Sequence, residues 1–264
     1  MIRFIALFVA LVAGVGVAVW YYRAPVDGVP TAIVRNDDRW IDGLQSRTPK
    51  DVEVATSQLE ERGTAALPLI RRTLQDPAAD PPKRHAALKA AAILGTRAAE
   101  AIPDVAAAMQ EPDYAPEAAL ALSFMGSAAV PALQDAIGAS EAIVRREGLR
   151  ALGKLRERAS IDPKIVVPLL LDALDDVDPS VRNVAVTYLG IVRDDPTSEV
   201  AGLIKALTDE NAEVRQAAAA ALAEYGTLAE RAIPALKKAA SDPDEEVRRE
   251  AGRTLVRLSE IKSR

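Results

Sequence analysis

One histidine, His85, and no cysteine limit the chemistry open to this chain. Thiolate catalysis, Fe–S clusters, covalent haem attachment, disulfides and cysteine zinc sites are excluded. A lone histidine cannot build a zinc or di-iron centre. His85 follows Lys83 by two positions and reads as a solvated residue on the outward side of a helix. The acidic run Asp172, Asp175, Asp176 and Asp178 lacks calcium-loop spacing and its closing Glu, so it reads as turn and cap residues. Neither Gly-x-Ser-x-Gly nor Gly-x-x-x-x-Gly-Lys occurs. The net charge of −5 is opposite to a nucleic-acid footprint. The expectation is therefore no catalytic residue, no cofactor, no metal and no nucleic acid. What remains is a recurring Arg and Asp register and a long apolar segment.

The register is strict at the C-terminal end. Val181-Arg182, Val214-Arg215 and Val247-Arg248 recur every 33 residues. Asp176, Asp209 and Asp242 precede each Val by five positions, and Leu170, Leu203 and Leu236 by eleven. Val144-Arg145 continues the series with drift, and Lys83-Arg84 is a weaker member. The segment from Pro116 to Gly126 keeps the Ala/Leu spacing without the pair. A period in the thirties marks stacked repeats, none of which buries its apolar face alone. The recurrent arginines are expected to tie adjacent layers by forking to a carboxylate or to turn carbonyls. An anion site made by the same arginines is the alternative.

Each unit reads as two helices. Val214, Ala217, Ala218, Ala221, Leu222 and Tyr225 share one face at a period of 3.6. Gly226 ends that helix. A partner helix is expected from about Glu230 to Ala240, with Pro234 in its first turn. Asp244 is the expected N-cap of the next helix. Roughly six such pairs are expected, after an extra helix over Asp51 to Arg62.

Ile233-Pro234-Ala235-Leu236, Asp242, Val247-Arg248 and Ala251, with their upstream counterparts, resemble the HEAT repeat, especially the short bacterial form also found in bilin lyases. The resemblance covers residues from about 50 to the C-terminus. It implies an all-α solenoid that binds protein on a concave surface lined by the second helices. A tetrapyrrole-handling role of the bilin-lyase kind is the alternative it raises. Few aromatics, Tyr114, Phe124, Tyr188 and Tyr225, are available for that. Deoxyhypusine hydroxylase resembles this architecture too, but its His-Glu motifs are absent here.

If Val214 faces the core, positions two and six later face away from it. That stripe is Arg146 and Arg150, Asn183 and Thr187, Gln216 and Ala220, Arg249 and Arg253. It is polar and basic at both ends, and it is the expected partner-binding site, suited to an acidic or polar segment.

Residues 4–22 carry no charge and lie between Arg3 and Arg23. Such a segment just spans a hydrocarbon core of roughly 30 Å. Trp20, Tyr21 and Tyr22 suit the interface. An uncleaved anchor over residues 1–23 is expected. A cleaved signal, cut after Gly16-Val17-Ala18, would leave a soluble periplasmic module instead. By the positive-inside rule the amino terminus is cytoplasmic and the repeats lie beyond the membrane. Ala6, Ala10, Gly14 and Ala18 fall four apart, a spacing that favours helix–helix contact in lipid. Residues 24–48 read as a linker, in which Pro25, Gly28 and Pro30 oppose one continuous helix. Trp40, Ile41 and Leu44 are expected to cap the open end of a stack over residues 49–264. The protein is thus expected to be a membrane-anchored interaction scaffold or accessory subunit with a membrane-associated protein partner.

Overall fold

The computed structural model describes residues 39–158 and 161–262, with the backbone of two short strands nearer the N-terminus. It divides into two units, Met1–Asn36 and Asp37–Arg264. In the larger unit, α1 (Trp40–Gly43) and α2 (Pro49–Arg62) precede six helical hairpins. These are α3 (Leu67–Gln75) with α4 (Pro81–Leu94), α5 (Ile102–Met109) with α6 (Ala115–Phe124), and α7 (Val130–Ile137) with α8 (Ala142–Glu157). Then follow α9 (Pro163–Asp172) with α10 (Pro179–Val192), α11 (Pro196–Ala206) with α12 (Ala212–Ala223), and α13 (Ile233–Ala239) with α14 (Glu245–Lys262). The second helices, α4 to α14, pack side by side in chain order, each also against its own first helix. One apolar core runs through every layer, from Trp40 to Leu258. Trp40, Ile41 and Leu44 are buried in its first layer, where Lys89 Nζ donates to the Leu44 carbonyl at 3.0 Å.

Local chemistry sets the boundaries. The Asn211 side chain accepts from the Glu213 and Val214 amides at 2.9 and 3.2 Å, and Asp244 does the same for Glu246 and Val247 at 2.9 and 3.1 Å. These caps satisfy orphan donors of the first turn. Gly226 has φ +53, the left-handed conformation that glycine adopts without a Cβ clash. The helix expected from Glu230 starts later, at Ile233. Residues Gly226–Ala232 wind as a 3-10 segment, which turns the chain between two helices while burying Ala229 and Ala232.

Arginine forks join successive layers, as the register implied. Arg145 donates to Asp176 through Nε and Nη2 at 2.7 and 2.8 Å. Arg182 grips Asp209 at 2.7 and 2.8 Å, and Arg215 grips Asp242 at 2.8 and 2.8 Å. The third nitrogen of each donates to carbonyls of its own turn: Ala139 and Ser140, Asp176 and Val177, Asp209 and Glu210. Each aspartate also accepts the amide two residues on, from Asp178, Asn211 and Asp244. Arg84 makes a variant of this rung. Its Nη1 and Nη2 meet Glu111 end-on at 2.9 and 2.5 Å, and its Nε is left buried without a partner. The longer glutamate takes the fork's tip rather than its side.

The forks hold Asp176 and Asp242 below the usual carboxylate range, with the arginine hydrogen bond as the main cause. At Asp209 burial pushes upward most strongly, but Arg182 and the Asn211 amide still leave it lowered. A carboxyl with a lowered folded pKa adds stability above its ordinary pKa and loses it as the pH falls through the folded value. Glu199 has the opposite sign. It is buried, and burial raises its pKa. Tyr225 Oη lies 2.6 Å from the Leu189 carbonyl and 3.1 Å from Glu199 Oε2. Glu199 Oε1 also accepts the Asp194 amide at 3.2 Å, yet burial outweighs these bonds and the net shift is upward. Its stability contribution is therefore complete below the ordinary glutamate pKa and is lost as the pH rises through the folded one.

Most of the segment expected to be a membrane helix, residues 4–22, lies outside the described residues. So do the side chains of Ala6, Ala10, Gly14 and Ala18. The backbone described there, β1 (Leu7–Val9) and β2 (Val19–Tyr21), pairs antiparallel, with Phe8 opposite Trp20. An uncharged run rich in Val satisfies strand pairing as readily as helix, and hydropathy alone does not separate the two. Among the described residues no helix is long and apolar enough to cross a membrane.

Two outcomes test these assignments. Arg182→Ala, which strands a buried carboxylate, should cost about 3 kcal/mol at neutral pH in urea unfolding, and the deficit should shrink below about pH 4. Glu199→Gln should make the protein about 1 kcal/mol more stable than the parent at pH 8, with the difference vanishing towards pH 4.

Candidate interaction surface

With the Val positions in the core and the neighbouring Arg positions in the forks, the second helices turn their remaining face outward. The expected stripe lies there, on four adjacent helices, α8, α10, α12 and α14. Asn183 and Gln216 are half-buried, while Thr187, Arg249 and Arg253 are exposed. Asn183 Nδ2 donates to the Glu213 carbonyl of the next layer at 3.3 Å, and Thr187 Oγ1 to the Asn183 carbonyl at 2.9 Å. Arg249 and Arg253 pair within their own helix, with Glu246 and Glu250.

Arg146 and Arg150 depart from the expected free basic pair. Both hold Glu147, which is only 3% exposed. Arg146 Nε donates to Oε1 at 3.0 Å, and Arg150 Nη1 to Oε1 and Oε2 at 2.7 and 2.8 Å. Helix spacing alone did not show that Glu147 is buried and needs counter-charges.

The same ridge continues further than the stripe. Arg146, Arg150, Lys154 and Arg158 fall at four-residue intervals, so four cations follow one line along α8 and its C-terminal cap. Like charges at this spacing destabilise a helix by a few tenths of a kcal/mol per pair, roughly. Glu147 offsets the first two. Arg158 stacks on the Phe124 ring at 4.2 Å and donates to the Ser123 carbonyl at 2.8 Å. Lys154 is half-buried, with no hydrogen bond or ion pair among the described residues. Burial lowers its pKa, and Arg150 and Arg158 lower it further. On either side stand exposed apolar residues, Leu120 on α6 and Ile191 on α10, 39% and 42% exposed. The cation spacing was a signal available in the sequence. The loneliness of Lys154 was not.

Tyr188 fills the seam between α8 and α10, and burial pushes its phenol up to about 12. Gly153 is what admits it: a Cβ there would lie 2.1 Å from the Tyr188 ring. The next layer repeats this seam with small residues, a Cβ on Gly190 meeting Ala221 at 2.9 Å.

His85 is not the fully solvated residue expected. Its ring lies 4.9 Å from that of Tyr114, with Nδ1 3.5 Å from Glu117 Oε1. Among the described residues no group of three or more His, Asp or Glu could hold a metal. A cleft of about 510 Å³ lies elsewhere, along α3, lined by Leu67, Pro68, Arg71, Arg72, Gln75 and Glu100.

Residues 167–256 match the sequence profile of HEAT repeats. No curated protein matches the chain. Among solved structures, Kap95p, in a complex where it induces the switch loops of RanGDP to adopt the GTP-bound conformation, aligns at a TM-score of 0.64 and 16% identity, over 85% of this chain and 33% of its own. The karyopherin Kap121p bound to the SUMO protease Ulp1p aligns at 0.60 and 16%, over 80% of this chain and 28% of its own. The chain thus spans about a third of these karyopherins or less, and the likeness is one of fold. The CpcE–CpcF complex of phycocyanin lyase aligns at 0.49 and 26%, over 59% of this chain and 98% of that one. The chain folds as a helical solenoid similar to these, and its residues 167–256 carry the HEAT repeats.

The packing at the α8–α10 seam is directly testable. Gly153→Ala should cost about 2 kcal/mol in thermal unfolding, and less than half of that in a Tyr188→Ala background.

Proposed function

We propose that this protein is an interaction scaffold without chemistry of its own, holding a protein partner on the outward face of its second helices. One observation carries the reading. Core and fork positions repeat from layer to layer, whereas the outward positions vary. Arg146, Asn183, Gln216 and Arg249 occupy the same register, arginine in the outer two of these layers and an uncharged amide in the inner two. Fold energetics require the repeated positions, while the varied ones are left for recognition. The karyopherin likenesses support it to the extent that such a fold engages other proteins.

In this proposal residues 4–22 tether the scaffold to a membrane, with the amino terminus cytoplasmic and the solenoid on the far side. The support is the uncharged segment between Arg3 and Arg23. A two-stranded ladder exposes unpaired backbone groups and cannot sit in hydrocarbon, so insertion would require this segment to become helical. Ala6, Ala10, Gly14 and Ala18 would then face a helix of the partner complex.

The partner test avoids Arg146 and Arg150, whose loss would strand buried Glu147. Thr187→Trp with Gln216→Trp should abolish co-purification of the partner from detergent extracts while leaving the melting temperature unchanged. Retained partner would overturn the assignment of this face. Single cysteines at Ser57 or Ser263 should be labelled by an impermeant reagent in intact cells. Labelling only after the membrane is broken would reverse the orientation.

A further inference from the structure

We propose that the α8 ridge is the docking site for an acidic amphipathic segment of a partner protein, with its carboxylates on Arg150, Lys154 and Arg158 and its apolar side chains on Leu120 and Ile191. The inference rests on the scaffold reading and adds the chemistry of what is held. Four cations follow one line on α8 and its cap; Glu147 holds Arg146 and Arg150, and Ser123 and Phe124 engage Arg158. Lys154 is half-buried and has no hydrogen bond or ion pair among the described residues. A half-desolvated ammonium that feels Glu147 and Glu157 only at a distance is costly, and a carboxylate hydrogen-bonded to it lowers that cost. The ridge spans about 18 Å, twelve residues at the helical rise, which is far longer than one small anion. Its flanks supply exposed leucine and isoleucine rather than more charge. Length, charge and apolar borders together describe a segment with acidic and apolar faces.

The experiment uses the full chain in detergent and three fluorescein-labelled peptides of about 16 residues, the length that covers the ridge. One places Glu and Leu on opposite helical faces, one scrambles the same residues, and one replaces Glu with Lys. The first should bind and weaken as salt rises, and the other two should bind far more weakly. Lys154→Gln should reduce the affinity roughly tenfold, and Lys154→Glu more. Leu120→Ser, at an exposed position, should reduce it independently. Thermal melts identify any variant that fails to fold. No binding of the acidic peptide, or equal binding by the parent and the folded Lys154 variants, overturns the proposal. So does tighter binding to phosphatidylserine vesicles that is lost in Lys154→Glu. Partner capture through Thr187 and Gln216 without acidic-peptide binding overturns this inference alone. Loss of both overturns the scaffold reading as well.

Discussion

An arginine of one layer, forked onto an aspartate in the turn between the two helices of the next, is the constraint on which the rest of this structure depends. It is not the main source of stability. A buried ion pair often contributes little beyond what apolar residues of the same volume would, because desolvation offsets the attraction. The continuous apolar core supplies the bulk. What the fork supplies is register. Arg182 engages Asp209, the Asp176 and Val177 carbonyls, and Glu210 at once. A layer displaced by a few ångströms would leave several buried polar groups unsatisfied. Each aspartate also caps its own turn, so the turn and the layer spacing are set by the same atoms.

Register in turn allows the seams to be built from small residues. Gly190 against Ala221 leaves no room for one more methyl group, and the Thr254 hydroxyl reaches the Ala219 carbonyl at 2.8 Å. The α8–α10 seam is the exception, with Tyr188 seated against Gly153. That irregular seam adjoins the irregular ridge, where four cations line one helix. The middle of the stack is thus where the repeat gives way to individual chemistry.

Much of this was legible because the repeat is strict. The Val, Asp and Leu registers identified the helices of the last four layers, and Arg182 and Arg215 were expected to tie layers together. Asp244 was recognisable as a cap. The start of α13 was not, since Gly226–Ala232 looks helical in composition and only packing selects the tighter winding. Arg84 was visible only as a weak repeat member, because its partner Glu111 breaks the Asp register. Arg146 and Arg150 were read as free, because the helix period does not show that Glu147 between them is buried.

The account predicts that the second-helix face alone contacts the partner. Site-specific photocrosslinking in native membranes tests this most directly, with a benzophenone side chain at Thr187 on α10 in one strain and at Lys237 on α13 in another. A single discrete adduct from position 187, with none from position 237, is the predicted result. Adducts from position 237 with none from position 187 would contradict it.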